Sequence, residues 1–428
     1  MHILFLTDNF PPETNAPASR TYEHAKRWVD AGARVTVVTC FPNFPAGKVF
    51  GGYKNRLYQR EQIDGIDVVR VWTYITANEG FLKRTLDYVS FMFSGIIASL
   101  LLPRPDIVIA TSPQFFCAVA GYCVSRLKRR PFIFELRDLW PDSIVAVGAM
   151  RESFSLKMLR RLEYFLYRKA ARIVSVTHSF KEMLTGNGIS AEKIVVVPNG
   201  VDMDAYQPGQ RSSALAARIG VEGKFVAAYV GTIGMAHGLQ ALLDAAERLR
   251  HRSDIAFVLV GTGAQKDELE RLTKDRGLDN VVFVGSVSKA EVREFWRLAD
   301  VALVLLKDAP LFQHVIPSKM FEAMGTAKPI ILGVRGESQG ILERSGAGIA
   351  ITPEDDKALA EAIVALADDE EMRRKMGESG RQFVIANYNR NHLAKEMLSH
   401  LMVACDGEEL IGSTNLPSPV SGRGGEGV

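Results

Sequence analysis

The sequence reads as an α/β protein of two doubly wound domains. Short apolar runs alternate with amphipathic stretches from end to end, and the series starts afresh after a polar linker. A chain of 428 residues can bury two sizeable cores, and its composition is that of a globular protein. In the first half, strands are expected at 3–7, 34–39, 68–72, 106–110, 132–135, 173–176 and 194–197. A helix from about 19 to 31 fits after the first strand, burying Tyr22, Ala25 and Trp28 and stopping at Gly32. The linker runs from Pro198-Asn199-Gly200-Val201-Asp202 through Gln207-Pro208-Gly209-Gln210. Strands then follow at 226–230, 256–260, 281–284, 301–306 and 330–332. Ser288-Lys289-Ala290-Glu291 and Thr352-Pro353-Glu354-Asp355 have the spacing of capping boxes and predict two helix starts. The tail 406–428 is rich in Gly, Ser and Pro without periodicity and is expected to be disordered.

A net charge of +3 argues against nucleic-acid binding, but the basic residues are unevenly spread. Lys157, Arg160, Arg161, Arg168, Lys169 and Arg172 face only Glu163 among acids in that stretch. Such a run is either the solvated face of a helix or a docking face for an anionic membrane. The uncharged segment 88–102 is 15 residues long, short of the roughly 20 needed to span a bilayer. A buried helix or an interfacial segment is therefore expected. Cys40, Cys117, Cys123 and Cys405 show neither metal-ligand nor disulfide spacing, which points to a reducing compartment. The apolar start at 3–6 turns polar at Asp8-Asn9, too short for a signal-peptide core, so a cytoplasmic protein is expected.

In open α/β sheets ligands bind beyond the carboxyl ends of the strands, so the loops there carry the candidate chemistry. In Ile316-Pro317-Ser318-Lys319-Met320-Phe321-Glu322, Lys319 and Glu322 stand three apart and share one side of a new helix. Taken alone the pair fits first an ordinary surface ion pair, and second a lysine on a diphosphate with a glutamate on a ribose. Gly231-Thr232-Ile233-Gly234 follows a strand and lets backbone approach a phosphate, or is simple turn chemistry. Neither it nor Gly261-Thr262-Gly263 continues as the dinucleotide fingerprint. Arg137 and Asp138, within Glu135-Leu136-Arg137-Asp138-Leu139-Trp140-Pro141-Asp142-Ser143, either serve a phosphate and a sugar hydroxyl or pair locally. Asp202-Met203-Asp204 has a D-x-D spacing but no third acid ligand nearby, and His178, His237 and His314 form no zinc-type cluster with cysteine.

Asp8-Asn9-Phe10-Pro11-Pro12-Glu13, the Glu135–Pro141 stretch (135–141), Val197-Pro198-Asn199-Gly200-Val201-Asp202, Tyr229-Val230-Gly231-Thr232 and Pro317-Ser318-Lys319 with Glu322 occur in one order. In that order they resemble family 4 glycosyltransferases, more narrowly the bacterial surface-polysaccharide subfamily that includes proposed L-fucosamine transferases. The resemblance covers about residues 1–401. It implies the GT-B fold: an acceptor-binding Rossmann-like domain at 1–205, a sugar-nucleotide-binding one at 206–388, a cleft between them, and a helix at 389–405 crossing back. It implies sugar transfer with retention and without metal or other cofactor, so a pair of glycosidase-type carboxylates is not required.

By the same resemblance Gly231, Thr232, Gly234, His237, His314, Ile316, Ser318, Lys319 and Glu322 would meet the nucleotide-diphosphate sugar. Lys319, Arg137 and Asp138 would act in catalysis. Asn15 and Ala16, with Asn43, Phe44 and Lys48 of the loop 41–48, would face the acceptor. Thr232 and His237 stand where the family usually has an Arg and a Lys for the diphosphate. His314 replaces its first glutamate, and Arg137 a frequent histidine. The expectation is a transferase moving a sugar, a UDP-linked N-acetylamino sugar, onto a lipid-linked saccharide at the inner membrane surface in O-antigen or other polysaccharide synthesis. An epimerase of the same fold and a non-catalytic sugar-nucleotide or glycolipid binder are the alternatives.

Overall fold

The computed structural model describes residues 1–44, 47–76, 81–112, 114–140 and 153–406. Of the expected disordered tail, Asp406 ends the last helix and 407–428 lie outside them, as do positions 45–46 and 141–143 of the two motif loops. The first half runs β1 (His2–Leu6), α1 (Ala16–Asp30), β2 (Arg34–Cys40), β3 (Tyr58–Ile63), β4 (Ile66–Val71), α2 (Phe81–Leu101), β5 (Ile107–Thr111), α3 (Phe115–Lys128), β6 (Phe132–Leu136), α4 (Phe154–Lys169), β7 (Arg172–Ser175), α5 (His178–Gly186) and β8 (Ile194–Val196). The second runs α6 (Ser213–Arg218), β9 (Phe225–Val230), α7 (Gln240–Arg248), β10 (Ile255–Val260), α8 (Lys266–Asp275), β11 (Val281–Gly285), α9 (Lys289–Leu298), β12 (Val301–Leu305), α10 (Ser318–Gly325), β13 (Ile330–Gly333), α11 (Glu337–Ser345), β14 (Gly348–Ala350), α12 (Asp356–Asp368), α13 (Glu370–Asn387) and α14 (Arg390–Asp406). Among the described residues the strands order as β3-β4-β2-β1-β5-β6-β7-β8 and β11-β10-β9-β12-β13-β14. All pairs are parallel except the β3–β4 hairpin.

Strands buried on both faces need apolar residues at every position, and β1 shows why. Leu4 and Leu6 pack beneath Phe91 and Ala98 of α2 and Phe115 of α3. Ile3 and Phe5 pack on the other side against Trp28 of α1 and Leu393, Met397 and Leu401 of α14. Trp28 Nε1 also donates to Ala394 O at 2.9 Å, so the last helix is tied to the first domain by packing and by a hydrogen bond. Each such buried side chain contributes roughly 1.5–3 kcal/mol of transfer free energy.

The connection between domains is crossed twice. Val201 N donates to Tyr388 O and Arg390 N to Val201 O, both at 3.0 Å. Gly200 is required there, because a Cβ would lie 2.4 Å from Tyr388 O.

Several expectations are corrected. β14, a three-residue edge strand without a buried face, and β3 lie outside the expected strands; the YQREQI sequence of β3 has no apolar face and it too lies at a sheet edge, where charged side chains protect an unpaired strand. The readable signal for β3 was Asp64-Gly65, whose φ angles of 49° and 79° suit a two-residue hairpin turn. Tyr22 is half-buried rather than core. Ser288 and Glu291 form the expected reciprocal cap, but the other helix starts later. Asp355, not Thr352, caps it by accepting Ala358 N at 2.9 Å, since Glu354 at φ 61° interrupts the turn. Segment 88–102 is buried on one side only: Phe91 is wholly covered, whereas Phe93, Ile97 and Leu101 are 57%, 62% and 77% exposed. Among the described residues no helix is long and apolar enough to cross a membrane.

Candidate functional site

The carboxyl end of β9 opens into Gly231-Thr232-Ile233-Gly234, and the start of α10 brings Lys319 against it. The approach is close enough that a Cβ on Gly231 would lie 3.2 Å from Lys319 Nζ. Beneath it, a Cβ on Gly261 would strike Gly231 O at 1.9 Å, so the Gly261-Thr262-Gly263 loop is glycine-bearing in order to pack under the first turn. Ile233 N donates to Thr262 O at 2.9 Å and joins the two loops. Thr232 is exposed at the tip, and Gly234 begins a short 3₁₀ turn, Met235–His237.

Lys319 is partly exposed as a residue, yet its Nζ is sealed from water and has no hydrogen-bond partner. The ammonium instead sits 3.6 Å from the centroid of the Tyr229 ring. Burial pushes its pKa down to about 7, with Glu322 acting in the opposite direction. His237, whose ring meets Tyr229 edge-on at 5.9 Å, is pushed down to about 3 by burial and by Lys319. It is therefore neutral at physiological pH and cannot replace a cation there.

Glu322 is not bonded to Lys319 as a surface pair would be. Its Oε2 accepts Trp296 Nε1 at 3.1 Å, and the Tyr206 side chain also hydrogen-bonds it. Burial raises its pKa, while Trp296, Lys289 and Tyr206 lower it. Ile316 is buried under the loop and Ser318 opens α10. His314 ends the 3₁₀ turn Pro310–His314 with its Nδ1 enclosed and unpartnered.

The first domain presents a second group of loops. Arg137 donates to Pro17 O and Ala16 O, both at 3.2 Å, so its guanidinium braces the start of α1. Burial holds its pKa down to about 9, Glu135 opposing and Arg20 and Arg390 adding to the effect. The backbone N–H groups of Arg137 and Asp138 both donate to Ser112 Oγ. Asn15 caps α1 by accepting Ala18 N at 2.9 Å and is itself held by Asn9.

Asn43 N and Phe44 N donate to one oxygen of Glu13, each at 2.8 Å, which shapes the 41–44 loop; Phe44 and Lys48 are exposed. Asp202 is occupied by Arg27 at 3.1 Å and by Asp204 N, the bonds of a turn. Across the domains Lys289 meets Glu23 at 3.4 Å, and Glu337 accepts His178 N and Ser179 N at 3.0 and 2.8 Å.

The structure thus brings Gly231, Thr232, Gly234, His237 and Lys319 together, with Glu322 one helical turn along. It places Arg137, Asp138, Asn15, Ala16, Asn43, Phe44 and Lys48 on the other domain. Tyr229, Trp296, Tyr206 and Glu13 were given no role from the sequence, although Tyr229 and Glu13 stand in the quoted motifs, because their contacts with Lys319, with Glu322 and with the backbone of Asn43 and Phe44 join residues distant in sequence. Chemically, the second domain's half offers a desolvated cation and strand-end backbone suited to an anion.

Two family models match the chain, the glycosyl transferase 4-like domain over residues 15–200 and glycosyl transferases group 1 over 215–383. WcaI of Escherichia coli (strain K12), named provisionally as a colanic acid biosynthesis glycosyl transferase, is 24% identical over 410 residues, covering 94% of this chain and 100% of that protein. The O-antigen chain mannosyltransferase C of Escherichia coli is 28% identical over 204 residues, covering 47% of this chain and 52% of that protein. Among solved structures, sucrose-phosphate synthase from Thermosynechococcus elongatus superposes with a TM-score of 0.76 at 17% identity, covering 94% of this chain and 99% of that one. Anabaena Alr3699/HepE in complex with UDP-glucose gives 0.72 at 20% identity, with the same coverage.

Proposed function

The chain belongs to the family 4 glycosyltransferases of GT-B fold, and on that premise we propose that it moves a sugar from a nucleotide-diphosphate donor to a lipid-linked saccharide with retention at the anomeric carbon. Glycosyl transfer in bacterial polysaccharide or O-antigen synthesis is the coarser function its relatives support. An N-acetylamino sugar on UDP is the finer reading, and the UDP-glucose complex of Alr3699/HepE favours a nucleotide sugar in this fold.

One observation carries the proposal: Lys319 Nζ is enclosed beside the Gly231 turn with no hydrogen-bond partner. An ammonium left in that state is suited to a diphosphate whose charge grows as the sugar departs. In the reaction the bond from the anomeric carbon to the diphosphate oxygen breaks, and one forms to the acceptor oxygen on the same face. The acceptor proton passes to the departing phosphate. Lys319 and the Gly231–234 backbone neutralise that phosphate, Glu322 holds the ribose, and Asn15, Ala16, Asn43, Phe44 and Lys48 hold the acceptor. No metal is needed in this scheme.

We assign to the inner membrane surface the exposed Phe93, Ile97 and Leu101 of α2 and, on α4, Phe154 and Met158, which neighbour Lys157 and Arg161 in sequence. Incubation with UDP-, GDP- and dTDP-sugars, with and without lipid-linked acceptor, tests the function. Nucleoside diphosphate released only with acceptor is expected. An altered sugar nucleotide formed without acceptor would mean an epimerase, and no reaction with any pair would mean a binding protein.

A further inference from the structure

Tyr229 lies one residue before the end of β9 and is fully buried. A buried strand position facing this way asks only for an apolar side chain, as Ala227 on the same face shows. A tyrosine brings a hydroxyl that must be satisfied, and it donates to Thr232 O at 2.6 Å, inside the turn that receives the diphosphate. Its ring face meanwhile is the surface on which Lys319 Nζ rests, at 3.6 Å. One side chain therefore touches both parts of the anion cradle, the cation by its π face and the backbone turn by its hydroxyl.

The arrangement answers the missing basic residues. With Thr232 exposed and His237 neutral, Lys319 is the cation that the described residues place against the Gly231 turn. An ammonium without hydrogen bonds would swing to water if nothing attracted it inward. The electron-rich face of an aromatic ring is such an attraction, and it strengthens when the pair is desolvated.

We propose that Tyr229 is the positioning residue of the diphosphate site, holding the Lys319 ammonium against the Gly231 turn with its ring and fixing that turn with its hydroxyl. This rests on the reading of Lys319 as the cation of the donor diphosphate. Donor binding then requires no reorganisation of the turn: the ammonium leaves the ring face for phosphate oxygens a short distance away.

The two contacts separate experimentally. Tyr229→Phe keeps the ring and loses the hydroxyl, so donor KM should rise about 3- to 10-fold with the pH profile unmoved. A trifluorinated phenylalanine at the same position keeps the shape and withdraws electrons from the ring. It should move the alkaline limb of kcat/KM for donor about one unit to lower pH, because the ammonium loses its stabilisation. The other titratable groups acting on Lys319 are Glu322 in its own helix and His237 from the turn after β9, and neither is altered by these changes.

A purely structural tyrosine would leave that limb in place, so an unmoved limb in the fluorinated protein, or an unchanged donor KM in Tyr229→Phe, overturns the inference. Lys319→Met serves as the reference. If it transfers sugar at the parent rate, the reading of the donor site falls instead; if it is inactive while both Tyr229 variants behave as the parent, only the role of Tyr229 falls.

Discussion

Replacing Lys319 by methionine should cut turnover and raise stability at the same time, two effects of opposite sign from one atom. The catalytic side follows from losing the charge nearest the Gly231 turn. Loss of one well-placed donor to a developing anion costs roughly 2.7–4 kcal/mol, or about 100- to 1,000-fold in kcat.

The stability side follows from burial. The pKa falls from 10.5 in an unfolded chain to about 7 in the folded protein. Because the folded value is depressed, the neutral amine is the better tolerated form. Stability linked to this group is full above pH 10.5 and is lost as the pH falls toward 7. At about 1.4 kcal/mol per unit, the full cost below pH 7 is at most roughly 5 kcal/mol. Methionine has similar length and no charge, so Lys319→Met should gain about 1–3 kcal/mol at pH 6.5 once imperfect packing is deducted.

Thermal melts from pH 6 to 10 together with initial rates on the best donor measure both. The gain should be largest at the acidic end and shrink as the pH rises. A variant that is less stable across the range would show that Lys319 is a structural strut, and the reasoning would fail.

Other outcomes follow from the same site and its surroundings. Binding of a nucleoside diphosphate at pH 8 should take up close to one proton, since the anion restores the charge of Lys319; calorimetry in buffers of different ionisation enthalpy reads this, and uptake should vanish in Lys319→Met. Glu337→Gln should weaken the bond between domains by about 1 kcal/mol, speeding amide exchange at His178 and Ser179 roughly fivefold without altering the core. Phe93→Ser with Leu101→Ser should lower recovery with floated anionic vesicles at least several-fold while leaving turnover on a soluble acceptor unchanged; full recovery would remove α2 from the membrane face.

Most strands of both sheets were legible because a strand buried on both faces must be apolar throughout, as in Ile3-Leu4-Phe5-Leu6, whereas β14, three residues at the edge of the second sheet, carries no such run. β3 was not, since an edge strand with YQREQI is selected for polarity and announces itself only by its turn. Within the site, Lys319, Glu322 and the Gly231 turn could be picked out by spacing and by family resemblance. Their environments could not. That Lys319 lies on a ring rather than beside Glu322, and that Glu322 is held by Trp296 and Tyr206, depends on helices and strands far apart in sequence. Arg137 illustrates the same limit. Its charge and its place after β6 suggested either a ligand contact or a local pair with Asp138, and the contact of its guanidinium with the carbonyls of Ala16 and Pro17 was in neither reading.

The central claim is that Lys319 and the Gly231 turn form the diphosphate site, and the affinity gained from the diphosphate itself tests it most directly. Titration calorimetry should compare the nucleoside diphosphate selected by the donor panel with its bare nucleoside, in the parent protein and in Lys319→Met at pH 6.5. The diphosphate should improve parent affinity by about 100-fold or more, and methionine should remove most of that gain while leaving nucleoside affinity unchanged. An undiminished gain in Lys319→Met would place the diphosphate elsewhere and contradict the account.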